Sequence, residues 1–141
     1  MLVRLLYASR AADAFDAAAL SRILEQSKRN NKEHGVTGLL CYSGNLFMQV
    51  LEGGRGAVNR IYNRIASDPR HTDVELLSYE EIDERRFAGW AMGQVEASQL
   101  NPALLLKYSE TATLDPYAVS GRMSMALFDE LVVTASVCGS R

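Results

Sequence analysis

The chain is poor in the residues from which most small catalytic and metal centres are built. Its 141 residues include two cysteines, Cys41 and Cys138, and two histidines, His34 and His71. The cysteines are too few and too far apart for a disulfide framework. Neither histidine stands in ligand spacing with the other or with a cysteine, so no zinc or iron centre is expected. No G-x-S-x-G elbow is present, although counting alone leaves Ser-His-Asp chemistry open. GGRG at 53–56 lacks the Lys-Ser/Thr of a phosphate-binding loop and does not fit the dinucleotide fingerprint, so it reads as a helix-entry turn. Positive charge is not in excess: fifteen Lys and Arg stand against seventeen Asp and Glu, a net charge of −2. With no basic patch, the electrostatic argument for nucleic acid is missing. No apolar run approaches the ~20 residues that cross a bilayer. The opening MLVRLLYASR has no basic n-region and no cleavage site, and it reads as a strand rather than a leader. A cytoplasmic protein without membrane or nucleic-acid partners is expected.

The composition, 48% hydrophobic and 23% charged, is that of an ordinary globular chain. The length suits one domain able to build its own core. Residues 2–9 alternate, with Val3, Leu5, Tyr7 and Ser9 on one face. Asp13 and Asp16 offer N-caps to a helix near 17–33, whose stripe is Leu20, Ile23, Leu24, Ser27 and Asn31 and whose stop is Gly35. Strands over 36–42 and 46–52 flank a hairpin turn at 43–45. A second helix near 57–67 ends before Pro69, and strands follow near 74–82 and 88–97. The order predicts an α+β, ferredoxin-like βαββαββ fold: a mixed five-stranded sheet with two helices on one face. A C-terminal helical extension follows. Asn101 and Pro102 open a short helix, and a longer one is expected from about 117 to 137, with Leu127, Phe128, Leu131, Val132 and Ala135 on one side.

The informative feature is a set of polar residues at inward positions. Gln49 sits in LFMQVLE, otherwise a buried strand, and an unpartnered buried amide costs roughly 1–3 kcal/mol. It is either a solvated edge position, a satisfied core amide or part of a site. First and third strands are neighbours in such a sheet, so Tyr7 can reach Gln49. Trp90 and Met92, two apart, are expected to share one face of the last strand, as plain core or as part of the site. Arg64 and Asp68 have the spacing of an exposed helix pair. Asn31 and Gln49 offer amide groups, Lys28, Arg64 and Arg70 offer positive charge for phosphates, and Ile23, Leu39 and Phe47 are candidate apolar walls. A planar, polar-edged, phosphorylated ligand suits such a slot.

These residues also carry a resemblance. LLYASR (5–10), SKRNNKEHGVTGLLCY (27–42), LFMQVLEG (46–53), RIASDPRH (64–71) and FAGWAM (87–92) are similar, in order and spacing, to a BLUF domain, the blue-light sensor using flavin. The resemblance covers about residues 1–95 and implies a flavin-binding core there. Residues 96–141 resemble the helical cap or output segment of short, stand-alone members. It further implies that Tyr7 hydrogen-bonds Gln49 and donates an electron to excited flavin, and that Gln49 is the switch. Asn31 would bond the ring's carbonyl edge, while Ser9, Trp90 and Met92 would form the shell around Gln49. Lys28, Arg64, Asp68, Arg70 and His71 match positions lining the flavin and its tail. FAD is the cofactor implied, with FMN as the alternative. Implied too are a photoreceptor without catalysis, a downstream effector protein and a homo-oligomer. Competing readings are a small ferredoxin-like hydrolase acting on an anionic substrate, through Arg64 or Arg70 and Asn31, and a pure interaction module.

Overall fold

Apolar alternation with both faces buried makes the first strand the middle of a sheet rather than its edge. In the computed structural model, which describes residues 1–12 and 16–134, β1 (Leu2–Ala11) pairs with β3 (Leu46–Gly54) on one side and β4 (His71–Ile82) on the other, both antiparallel. β2 (Thr37–Ser43) lies antiparallel to β3, and β5 (Gly93–Glu96) lies parallel to β2. The five-stranded order is β4-β1-β3-β2-β5. Together with α1 (Ala17–His34) and α2 (Arg55–Ala66), it is the expected mixed βαββαββ arrangement.

Local chemistry sets the element ends. Asp16 caps α1 through its carboxylate, which accepts from the Ala19 N–H at 2.7 Å. Gly35 stops the helix in the left-handed region, with φ of 67°. Asp13 lies outside the described residues. Gly38 is needed for a different reason: a Cβ there would lie 2.0 Å from the Val50 carbonyl oxygen across the β2–β3 pair.

The sheet is covered on both sides. Val3, Leu5, Tyr7, Leu40, Phe47 and Leu51 face α1 and α2. Leu6, Leu39, Met48 and Val50 face the other way and pack against the C-terminal part, formed by α3 (Pro102–Tyr108) and α4 (Gly121–Val133). Asn101 caps α3, and Ser120 caps α4 with its hydroxyl accepting from the Met123 N–H. α4 therefore starts after 117. Ala135, expected on its apolar side, and Cys138 fall outside the described residues. Phe87 and Phe128, both fully buried, meet edge to face at 6.3 Å between centroids. Arg86 adds a two-oxygen contact to Asp129 at 2.8 and 3.0 Å.

The last strand is shorter than the 88–97 expected, because the backbone of 86–91 finds its partners elsewhere. Glu52 accepts from the Arg86 and Phe87 N–H groups, Gly38 N–H donates to the Trp90 carbonyl, and Asn31 donates to that of Ala91. Trp90 and Met92 consequently do not share a strand face. Trp90 joins the core under α3 and α4, and Met92 joins the one under α1 and α2.

If α4 is an integral layer, Phe128→Ala will lower stability by about 3–5 kcal/mol, the usual cost of emptying a buried phenylalanine site. Urea unfolding measures it; a loss below ~1 kcal/mol would mean that α4 does not help hold the sheet.

Candidate functional site

Cross-strand register brings the key pair together. Tyr7 stands directly opposite Gln49 in the β1–β3 ladder, where neighbouring side chains on one face lie about 4.5–5.5 Å apart at Cβ. The Tyr7 hydroxyl donates to Gln49 Oε1, and Gln49 Nε2 donates to Met92 Sδ at 3.1 Å. All three residues are buried. Burial, and then the nearby Tyr62 hydroxyl, raise the Tyr7 phenol far above its ordinary value. It therefore keeps its proton at any ordinary pH and stays a donor. The Tyr62 ring stacks edge-on against Tyr7 at 5.6 Å.

Tyr7 and Gln49 line a cleft between the sheet and the two helices, whereas Met92 lies outside its lining. The cleft encloses about 890 Å³, part of it open to solvent. Ile23, Leu24, Leu40, Phe47, Ile61 and Ile65 give it apolar walls, while Gln49, Asn31, Asn30, Ser27 and Gln26 give it amides and a hydroxyl. The helical stripe explains the last three: positions 23, 26, 27, 30 and 31 recur on one face of α1. Of this face, sequence pattern alone assigns Ile23 and Asn31 to the site. Asn31 is buried, and its Nδ2 donates to the Ala91 carbonyl at 2.8 Å.

Arg64, Asp68, Arg70 and His71 line the mouth. Asp68 does not pair with Arg64 as a helix neighbour, because α2 ends at Ala66. It holds Arg70 instead, accepting from its Nε at 3.0 and 3.1 Å, its Nη2 at 2.7 Å and its backbone N–H at 2.9 Å. These bonds hold the Asp68 carboxyl at about 2. His71 is half-buried, with Nδ1 3.1 Å from the buried Ser9 hydroxyl. Burial outweighs Asp68 and pushes its imidazole below the usual value, towards the neutral form. Ser9 thus stands behind the cleft, through His71.

Three expectations need correction. Leu39 is not a wall: β alternation turns it to the opposite core, and Leu40, opposite Gln49, takes the place. Lys28 does not line the cleft; its Nζ lies 3.8 Å from Glu25 on the same helix. Trp90 belongs to the far core rather than the cleft side of Gln49. Among the described residues no group of three or more His, Cys, Asp or Glu is placed to hold a metal ion. No helix among them is long and apolar enough to cross a membrane.

Comparison with known proteins points one way. Residues 2–93 match the family model described as BLUF, sensors of blue-light using FAD. The chain is 38% identical over 92 residues to the photoactivated adenylate cyclase subunit beta of Euglena longa, covering 64% of this chain and 11% of that protein. It thus spans about a tenth of the length of that relative. Among solved structures, "BlrB - a BLUF protein, dark state structure" superposes with a TM-score of 0.80 at 32% identity, over 95% of this chain and 96% of that one. The photo-activated state of BlsA superposes with a TM-score of 0.82 at 28% identity, over 100% and 99%.

The Asp68–Arg70 contact carries a pH signature. Asp68 has a folded value near 2, below the ~3.9 of an unfolded aspartate, so its contribution is present above ~4 and lost as pH falls through about 2. Wild type should exceed Asp68→Asn in urea midpoint at pH 5, with the gap closing between pH 4 and 2. A gap independent of pH would show that the carboxylate charge is not the cause.

Proposed function

The chain belongs to the BLUF family, sensors of blue light using FAD, and from that premise we propose that it is a blue-light photoreceptor whose state is read by a partner protein. Members of the family bind flavin. The cleft suits that group: apolar walls for a flat ring system, amide groups of Gln49 and Asn31 at its inner end, and Arg64 at its mouth for a phosphate. Asn31 Nδ2 is engaged by Ala91, which leaves its carbonyl oxygen to meet an imide N–H. We favour FAD over FMN because the family model that the chain matches is described as using FAD.

Bound flavin would supply blue-light absorption and an excited state able to accept an electron. The residues supply the rest. Tyr7 holds its proton in a bond to Gln49 Oε1, so an electron leaving the phenol can be followed by that proton. Gln49 has two chemically different ends, one accepting and one donating, so turning or tautomerising the amide exchanges what it offers to the cleft. The change persists until the amide returns, which gives a two-state element set by light. A stronger donor towards the ring's C4 carbonyl would move the absorption band to the red.

The observation that carries this reading is the buried Tyr7–Gln49–Met92 chain, of which Tyr7 and Gln49 line the cleft. A hydrolase reading fares worse: of its two candidate anion binders Arg70 is held by Asp68, which leaves Arg64 alone. We assign residues 1–95 to flavin binding and 96–141 to a cap that passes the change to a cytoplasmic effector, in a protein that self-associates and has no catalysis of its own.

An absorption spectrum of the purified chain before and after blue light tests the reading. A flavin spectrum that shifts red and recovers in the dark is expected. Gln49→Leu should retain flavin and lose the shift, and Tyr7→Phe should retain flavin and lose the photocycle. A shift of normal size in Gln49→Leu would remove the switch from that residue. Protein that stays colourless after attempted flavin loading would overturn the photoreceptor reading itself.

A further inference from the structure

Residues 83–92 are neither helix nor strand, yet they carry Met92, the group that accepts from Gln49. Near its start two consecutive backbone N–H groups of this segment are held by one side chain. Glu52 Oε1 accepts from the Phe87 N–H at 2.7 Å, and Oε2 accepts from the Arg86 N–H at 3.1 Å. Arg4 neutralises the carboxylate with Nε and Nη2, each at 2.7 Å, and reaches Glu80 with Nη1 at 2.8 Å. Glu52 is 0% exposed and Arg4 4%.

A buried ion pair of this kind is a poor source of stability, since desolvation roughly offsets the attraction and apolar replacements often do as well. What an apolar pair cannot do is accept two consecutive backbone N–H groups. Without the carboxylate the buried Phe87 N–H would be left unsatisfied, and the part-buried Arg86 N–H would lose its partner. Glu52 also stands on the same strand as Gln49, three residues along, so it ties the segment to the strand that carries the amide.

We propose that Glu52 is a positioning residue for the photocycle: by gripping the backbone at Arg86 and Phe87 it fixes the Met92 wall against which the Gln49 amide must turn. The proposal rests on the photoreceptor reading. A fixed wall raises the barrier to amide rotation in either direction, whichever state is the starting one. Loosening it should therefore speed return in the dark.

The test uses the full chain loaded with flavin. Glu52→Gln keeps the volume but offers one acceptor where two stood. Dark recovery should accelerate by at least about threefold, with the red shift still formed, because Tyr7 and Gln49 are untouched. In a Met92→Ala background the same substitution should add less than that, since the wall it controls is gone. A merely structural role would change recovery equally in both backgrounds, and that result overturns the proposal. So does recovery in Glu52→Gln that is slower than wild type or accelerated less than threefold. Should Glu52→Gln not fold, Glu52→Asp and Arg4→Lys carry the same comparison, with a smaller acceleration expected where Met92 is replaced by alanine. Absence of any red-shifted state in the wild type would strike the photoreceptor reading instead, and the two failures are therefore distinct.

Discussion

Gln49 sits in a strand whose other inward and outward positions are filled by Phe47, Met48, Val50 and Leu51. An amide in such a place must find its hydrogen-bond partners among side chains, because the backbone of β3 is already committed to two neighbours. It finds a phenol on one strand and a thioether on an irregular segment. The phenol is a firm donor, kept protonated by burial. The thioether is a weak and deformable acceptor. One end of the amide is thus held more tightly than the other.

The elements around that bond fix its geometry. α1 and α2 wall one side of the sheet, and the C-terminal helices close the other. The central strand β1 takes part in both tasks, with Tyr7 facing the cleft and Arg4 feeding the charge cluster at Glu52. Residues 86–91 would be loose by secondary structure alone. Side chains hold them instead, and the same stretch bonds to α4 through Arg86 and Phe87. A change at Gln49 and a change at α4 are therefore separated by one short, side-chain-tethered piece of chain.

Most of this was legible in the sequence because period and punctuation agree. Strand alternation, the Asp16 cap and the Gly35 stop gave the elements, and the neighbouring of first and third strands gave the Tyr7–Gln49 contact. What failed did so for nameable reasons. Leu39 and Leu40 are both apolar, so the choice between them depended on a one-residue phase in a strand buried on both faces, where polarity gives no guide. The same blindness affected Trp90 and Met92, whose separation follows from Glu52 drawing the backbone out of the ladder, a contact between residues 35 apart in sequence. Arg64 and Asp68 have helix-pair spacing, but spacing does not reveal that the helix stops at Ala66.

Trp90 is the chain's only tryptophan, and it lies with Phe87, Leu105 and Phe128 on the side of the sheet away from the cleft. The protein thereby contains a native optical probe of one layer alone. Its ultraviolet emission samples the polarity beneath α3 and α4, while the visible absorption of a flavin held in the cleft would sample the opposite layer. Two signals from two faces of one sheet, with no label added, allow the order of events across it to be timed.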